Sequence, residues 1–296
     1  MGKENSKAIL MMVIASILWS TGGILIKLVD WHPVAIAGVR SGISSLVMIA
    51  YLKTWKMKLT RDKVIGGLLY ASTVILFVTA NKMTTAANVI VLQFSAPIWV
   101  ALFSGWLLKE RVSKLDWTAI GAVMLGMVLF FMGDLSGGEL TGNVLSVISG
   151  IALAGVVLFL KRQKEGSPVE MILLGNMITF VVCMPFYFTS VPSGQSIVGL
   201  VLLGVFQLGI AYILFAEASK YVSAIEAILI PAIEPLLNPV WVLLFTGERP
   251  GINALFGGII IISAVISRGV ITARQVGKTA GQQQGEKTVV TAASKN

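Results

Sequence analysis

Two glutamates stand inside an apolar segment that is long enough to cross a membrane. The segment covers residues 221–249, and the glutamates are Glu226 and Glu234. Eight helical residues place their side chains about 80° apart around the axis and about 12 Å apart along it. A carboxylate at such a position commonly contacts a cation, a proton or a transported solute. Both are therefore candidate substrate contacts, and a purely structural role, such as capping broken backbone beside Pro235, is the alternative for Glu234.

The same segment carries prolines at every fourth position. Pro231, Pro235 and Pro239 would stack along one side of a helix and remove successive backbone amide donors there. Broken backbone at membrane depth is tolerated where neighbouring protein or a water-filled cavity satisfies it. The pattern favours a helix that lines a cavity, and a kinked helix packed within the protein is the alternative.

A basic side chain is also predicted within the membrane. Arg40 lies about seven residues, or about 10 Å, from the outer end of its apolar segment. Its side chain could extend outward to the interface, bind a substrate carboxylate, or neutralise one of the glutamates. It is therefore a possible charge partner for the site.

Aromatic and amide side chains occupy the interiors of several apolar segments. Interfacial aromatic residues lie at segment ends, so interior ones can line a cavity and hold a cation against their faces, with ordinary packing as the alternative. Intramembrane amides either join helices or contact solute. The candidate substrate contacts of these types are Trp19, Trp99, Tyr212, Trp241, Asn81 and Gln93, and the further intramembrane amides are Asn88, Gln207 and Asn238.

The composition indicates an all-α integral membrane protein. The 296 residues are 56% hydrophobic and 12% charged, with a mean hydropathy of +0.86, too apolar for a soluble protein of this size. Segments of about 20 apolar residues, each sufficient for one crossing, can be placed ten times. The predicted spans are 8–28, 33–52, 64–81, 84–108, 114–132, 141–162, 168–190, 196–219, 222–246 and 251–270.

Several classes of function are disfavoured by residue type. The net charge of +9 comes from basic residues between the apolar segments, which argues against a nucleic-acid surface. His32 is the only histidine and Cys183 the only cysteine, so no metal site is expected. The chain contains no HExxH or GxSxG motif. We therefore expect neither an enzyme nor a cofactor.

The distribution of Lys and Arg predicts the topology. With a cytoplasmic N-terminus, nineteen of these residues lie on the inner side and three on the outer side, while Arg40 is within a span. Because positive residues concentrate in cytoplasmic loops, both termini are expected in the cytoplasm and the protein in the cell membrane. Residues 272–296 contain few large apolar side chains and are predicted to be a disordered cytoplasmic tail.

An internal repeat emerges when the chain is aligned with itself so that Ala80 falls on Ala218. Ala80–Arg111 then overlies Ala218–Arg249, and seven of the 32 pairs are identical, among them Pro97 with Pro235. This alignment carries the fourth span onto the ninth, an odd number of crossings, so the copies enter the membrane from opposite sides. Inverted repeats are typical of secondary transporters, which bind substrate at the repeat interface. Duplication retained for stability alone is the alternative.

Two stretches carry a resemblance to a known family. SAPIWVALFSGWLLKERV at 95–112 and IEPLLNPVWVLLFTGERP at 233–250 resemble the repeat endings of EamA-type members of the drug/metabolite transporter superfamily. The resemblance implies ten transmembrane helices in two inverted five-helix repeats, over residues 1–135 and 136–271, around a central cavity. It also implies that Glu110 and Glu248, which match the family's end-of-helix glutamate, are structural.

The resemblance and the candidate residues together predict a secondary active transporter of a small organic metabolite. Members of the family move amino acids, amines, nucleobases, nucleotide sugars and drugs, often as exporters. The two glutamates favour a cation or amino-bearing substrate moved by alternating access, with protons as the candidate coupling ion. The alternatives are an exporter of a zwitterionic or neutral metabolite, such as an amino acid, and a channel. The expected partners are the substrate and the lipid bilayer, with the protein a monomer or homodimer.

The predicted topology can be tested with a reporter enzyme fused after Asn296. Because the charge bias places the C-terminus inside, a reporter that is active only in the cytoplasm should be active, and one that requires export should be silent. The reverse result would contradict the topology and the inversion of the repeats that depends on it.

Overall fold

The computed structural model describes residues 3–132, 140–163, 165–237 and 252–293, and these residues form helices without a β-strand. The α-helices of the first half are α1 (Lys3–Ser20), α2 (Gly22–Leu28), α3 (Pro33–Leu52), α4 (Arg61–Met83), α5 (Ala86–Gln93), α6 (Ala96–Leu107) and α7 (Lys114–Phe130). Those of the second half are α8 (Leu140–Arg162), α9 (Pro168–Val182), α10 (Gly194–Leu202), α11 (Ala211–Ala218), α12 (Ala224–Leu229) and α13 (Ile252–Ala293).

Three irregular helical segments lie in the described part of the second half. A short 3-10 turn, Met184–Phe186, follows α9. A π-helical segment, Leu203–Ile210, joins α10 to α11, and a 3-10 segment, Ile230–Leu237, continues α12. These segments interrupt long apolar helices predicted from the sequence, and two of the three segments adjoin the site described below.

Seven helical stretches of the described chain are long and apolar enough to cross a membrane. They are Glu4–Ile26, Pro33–Leu52, Arg61–Met83, Ala87–Leu107, Leu140–Arg162, Gly194–Ala218 and Ile252–Thr272. The shorter apolar helix Pro168–Val182 falls within another predicted span. The all-helical membrane class is confirmed. The ninth predicted span, 222–246, is described only as far as Leu237.

The last helix, α13, extends to Ala293 and so includes most of the predicted tail at 272–296. Side chains beyond Thr272 lie outside the described residues. That residues 272–296 form a disordered cytoplasmic tail stays a prediction.

Three helices begin with a capping box, in which a serine and an acidic residue three positions later satisfy each other's backbone amides. The pairs are Ser113 with Asp116 in α7, Ser167 with Glu170 in α9, and Ser223 with Glu226 in α12. These caps fix where each helix starts. Glu226, a candidate substrate contact in the sequence, is thereby committed at one oxygen to the amide of Ser223, at 2.8 Å.

Close helix packing depends on small residues at two crossings. A Cβ atom at Gly257 of α13 would lie 2.5 Å from the carbonyl oxygen of Gly126 in α7. One at Gly175 of α9 would lie 2.6 Å from the ring of Tyr70 in α4. Without a hydrophobic effect between helices in lipid, such close contact supplies packing energy through dispersion. The same pairs of helices therefore form the rigid contacts of the bundle.

Ion pairs join the two halves at the end of the bundle where α4 begins. Asp62 pairs with Arg162 at 3.1 Å, and the buried Lys63 pairs with Glu170 of α9. A third pair, Lys58–Glu165 at 2.7 Å, is exposed. Its hydrogen bond raises the pKa of Lys58 and lowers the pKa of Glu165, so both groups remain charged at neutral pH.

A buried arginine within α13 connects the starts of two other helices. Arg268 of α13 is 6% exposed, and its Nε donates to Asp116 Oδ1 at 2.8 Å. Its Nη1 lies 3.3 Å from Glu226 Oε1. Both acidic residues also cap their own helices. Arg268 therefore ties the start of α7 and the start of α12 to α13. Arg268, Asp116 and Glu226 are called the Arg268 cluster below.

Replacing Arg268 by Met should destabilise the fold, because it leaves two carboxylates in a largely buried site without their cation. Breaking a buried pair from one side costs about 3–5 kcal/mol, which should lower the midpoint of thermal unfolding in detergent. Lys58→Met is the matched control, since its pair is exposed and it should leave the midpoint unchanged. Equal effects of the two substitutions would contradict a structural role for the Arg268 cluster.

Candidate functional site

The candidate site is a cavity in the middle of the bundle, beside two breaks in its helices. Between α5 and α6 the regular helix stops at Phe94 and Ser95. After α12 it narrows to the 3-10 segment Ile230–Leu237. The cavity has a volume of about 700 Å³, its open mouth included, and both breaks contribute to its wall through Phe94 and Pro231. The proline-broken helix predicted from the sequence therefore lines a cavity.

The two breaks occupy corresponding positions of the internal repeat. In the alignment that places Ala80 on Ala218, Gln93 and Ala96 fall on Pro231 and Glu234, and these last four all line the cavity. Pro97 falls on Pro235, which lies inside the 3-10 segment. Each half of the chain thus brings one interrupted helix to the same central space.

Glu234 is the acidic residue of the cavity wall. Its side chain is half-buried and lines the cavity directly. Within the described chain no Lys or Arg nitrogen lies within 4.0 Å of its carboxylate. A carboxylate without a cationic neighbour in a mainly apolar cavity is poised to bind a positively charged group.

Arg40 lies on the same cavity wall and does not extend to the outer surface. It is 1% exposed, and its Nη1 donates to Gln207 Oε1 at 3.1 Å. The outward extension considered from sequence is wrong, because the neighbouring helices enclose the side chain completely. Gln207 belongs to the π-helical segment. Such segments insert an extra residue into a helical turn and commonly accompany functional sites.

The approach of the π-helical segment to α3 depends on a glycine. A Cβ atom at Gly204 would lie 2.5 Å from the Cβ of Ile43 and 2.9 Å from the carbonyl oxygen of Arg40. Any larger residue would push the two helices apart. The contact between Arg40 and Gln207 therefore depends on this close packing.

Aromatic rings form one side of the cavity. The Trp19 ring lies 4.8 Å from the Tyr212 ring and 5.1 Å from the Phe215 ring, measured between centroids. Tyr70 adds an edge-on contact with Tyr212 at 4.9 Å. The indole nitrogen of Trp19 is buried and has no hydrogen-bond partner among the described residues. The wall therefore offers aromatic faces together with one unused N–H donor.

The break after α5 is held in place by α8. The Gln93 amide nitrogen donates to Ser149 Oγ at 2.8 Å, and Ser149 donates to the carbonyl of Thr73 at 3.1 Å. A Cβ atom at Gly150 would lie 2.6 Å from the carbonyl oxygen of Gln93. Gln93 is therefore fixed at the cavity by its own side chain and by the absence of one at Gly150.

The structure gathers some predicted site residues and separates others. Glu226 lies in the Arg268 cluster and not in the cavity wall. Asn81 donates to the carbonyl of its own helix at Phe77, and Trp99 donates to Ser95 Oγ; neither lines the cavity. Trp241 lies outside the described residues. Trp19, Arg40, Gln93, Tyr212 and Glu234 do share the cavity.

Other lining residues could not be selected from the sequence. Gln207 was only one of several intramembrane amides, and Phe77, Phe94 and Phe215 are common apolar residues of a membrane helix. Phe94 alone had a usable signal, its position just before the proline-bearing second part of a span. Within the described segments, no three His, Cys, Asp or Glu side chains come together as metal ligands would.

Comparison with known proteins now places the chain. The model of the EamA-like transporter family matches residues 6–132 and 140–267, which is most of the sequence. The chain belongs to the EamA-like transporter family. A solved crystal structure superposes on this EamA-like protein with a TM-score of 0.76 at 18% identity, covering 92% of this chain and 99% of the other. That likeness concerns the fold.

Individual relatives are transporters by name. An uncharacterized transporter of Archaeoglobus fulgidus is 28% identical over 66% of this EamA-like chain and 71% of its own. YdfC, an uncharacterized transporter of Bacillus subtilis, is 25% identical over 84% and 86%, respectively. The pseudopaline exporter CntI of Pseudomonas aeruginosa is 23% identical over 88% and 94%. The chain is a multi-pass membrane transporter of small molecules.

The cavity can be tested by cysteine labelling in a Cys183→Ala background, which removes the only native thiol. Gln93→Cys should react with the small aqueous reagent 2-aminoethyl methanethiosulfonate, because position 93 lines the cavity. Asn81→Cys is the matched amide control, buried against its own helix, and should react far more slowly. Equal labelling rates would contradict the assignment of the cavity wall.

Proposed function

We propose that the protein is a secondary active transporter that moves a small amino-bearing organic metabolite across the cell membrane by alternating access. The observation that carries this proposal is Glu234, a carboxylate in the cavity wall without a cation among the described residues. A substrate ammonium group supplies the missing cation. In this proposal Glu226, the second acidic candidate from the sequence, does not bind the substrate, because it pairs with Arg268.

The aromatic wall supports a substrate of this kind. An ammonium group held against aromatic faces gains roughly 0.5–2 kcal/mol, and the gain increases as water is removed. Trp19 and Tyr212 present such faces on the cavity wall. The apolar part of a metabolite can pack against the remaining aliphatic and aromatic lining, so charge and shape are recognised by different parts of one cavity.

The arrangement of the breaks supports alternating access. Broken helices at corresponding positions of two repeats, with the binding site between them, are the usual construction of secondary transporters. The ion pairs Asp62–Arg162 and Lys63–Glu170 link the two halves at one end of the bundle. In this proposal the halves rock against each other, these pairs open when substrate passes through that end, and both termini lie in the cytoplasm.

Protons are the proposed coupling ion. A proton and a substrate ammonium group compete for the Glu234 carboxylate, since a protonated carboxyl group no longer offers a negative charge. Lower pH therefore weakens substrate binding, and by linkage bound substrate lowers the proton affinity of the site. Exchange of one substrate molecule for one proton follows from this competition.

The proposal is tested with phenethylamine and isopentylamine, two amines with different apolar groups, as probes of the purified transporter. Ligand binding to the folded state raises the unfolding temperature, which gives apparent affinities. Glu234→Gln should weaken binding of both amines by about tenfold or more, because a charge-assisted hydrogen bond is lost. It should also abolish the loss of affinity that the unsubstituted protein shows at low pH.

Glu226→Gln is the matched control for this experiment. It removes a carboxylate of the same segment that lies in the Arg268 cluster, so it should lower stability but keep both amine affinity and pH response. If Glu226→Gln abolishes amine binding and Glu234→Gln does not, the assignment of the ammonium site is wrong. Accelerated uptake of labelled amine into vesicles preloaded with unlabelled amine would distinguish a carrier from a channel.

A further inference from the structure

The cavity contains hydrogen-bond donors that no described acceptor uses. Arg40 Nε and Trp19 Nε1 are both buried, and neither has a partner among the described residues. Guanidinium and indole nitrogens can donate but cannot accept. Both side chains line the same cavity. A ligand in this part of the cavity must therefore supply hydrogen-bond acceptors.

Arg40 also lacks a countercharge. Its one described side-chain partner is the neutral amide of Gln207, and no described carboxylate lies within 4.0 Å of it, Glu234 included. A buried cation without an anion is costly unless a ligand supplies the charge. The guanidinium is positioned for that purpose, because Gln207 holds one of its terminal nitrogens while Nε remains unused.

Glu234 and Arg40 thus present opposite charges on one cavity wall without pairing with each other. A purely cationic ligand would leave Arg40 uncompensated and would be repelled by it. A purely anionic ligand would have the same difficulty with Glu234. A ligand with both charges compensates both residues at once.

We propose that Arg40 and Trp19 form a carboxylate subsite, so that the substrate is a zwitterion with an amino group at Glu234 and a carboxylate at Arg40. This inference rests on the proposed function, since it adds a second recognition point to the same transport cavity. The planar guanidinium suits a carboxylate because it can donate two parallel hydrogen bonds to its two oxygens. The Trp19 N–H adds a neutral donor.

The experiment compares three ligands that share one apolar group. Leucine carries both charges, isopentylamine lacks the carboxylate, and 4-methylpentanoate lacks the amino group. Phenylalanine, phenethylamine and 3-phenylpropionate form a second set with an aromatic group. Apparent affinities are measured by thermal shift on the full-length protein in a buffer of low ionic strength that contains neither chloride nor a carboxylate. In at least one set, the amino acid should bind about tenfold or more tightly than either partial analogue.

Arg40→Gln removes the charge of the proposed subsite. It should weaken binding of the amino acid by about tenfold or more. Binding of the amine should be unchanged or tighter, because a repulsive cation has been removed. Opposite responses of the two ligands would not arise from a general loss of structure. Equal weakening of both ligands would show that Arg40 is a structural residue and would overturn the subsite.

A second variant avoids altering a buried charge. Trp19→Phe keeps an aromatic face but removes the indole N–H, so it should weaken the amino acid by roughly threefold to tenfold and spare the amine. Trp99→Phe is its matched control, since Trp99 donates to Ser95 outside the cavity wall. Equal effects of the two tryptophan substitutions on amino acid binding would also count against the subsite.

The outcomes separate this inference from the proposed function. If the amines bind through Glu234 but the amino acids bind no better, the ammonium site stands and the carboxylate subsite is wrong. If amine binding requires added chloride, Arg40 takes an inorganic anion and the subsite is also wrong. If no ligand of either set binds, both the proposed substrate class and the subsite are rejected.

Discussion

A backbone amide or carbonyl group in hydrocarbon has no water to bond with, and this constraint decides where a membrane helix can be interrupted. Here two of the interruptions border the cavity, one after Gln93 and the other in the segment Ile230–Leu237. Surrounding helices enclose the first break: Ser149 holds the Gln93 side chain, and Gly150 allows α8 to lie against its carbonyl. The cavity lies beside both breaks, so irregular backbone faces enclosed space rather than lipid.

The two repeats share this architecture but differ in charge. Thr85 caps α5 and receives the amide of Asn88, and in the repeat alignment these positions become Ser223 and Glu226 of α12. Asn88 donates to neutral oxygens of Thr84 and Asn143, whereas Glu226 pairs with Arg268. At the cavity, Ala96 corresponds to Glu234. The helical scaffold is therefore repeated, whereas at both of these pairs of positions the acidic residue lies in the second repeat.

The uncompensated groups of the cavity distinguish it from the rest of the interior. Elsewhere in the described interior, buried charges are paired, as Lys63 is with Glu170 and Arg268 with Asp116. In the cavity, Arg40 and Glu234 remain unpaired with each other, and Trp19 Nε1 lacks an acceptor among the described groups. Real proteins depart from full polar satisfaction mainly at functional sites. The unpaired groups here carry charges of both signs. A ligand with one positive and one negative group therefore fits the cavity better than a simple cation.

The sequence by itself determined the helical membrane class, the second span at 33–52, and the existence of a proline-broken helix, because hydropathy and proline act locally along the chain. It also indicated the family through the repeat endings. It identified Glu234 as a candidate but favoured Glu226, since a capping role beside Pro235 was a near-even alternative for Glu234. Only the tertiary structure separated them, because the buried partner of Glu226 is Arg268 on another helix, far along the chain.

The position of Arg40 was also decided by the tertiary structure: its enclosure depends on a π-helical segment and on Gly204, which lie far from it in sequence. Local patterns fix which segments become helices, whereas contacts between distant segments decide which polar side chains face the cavity.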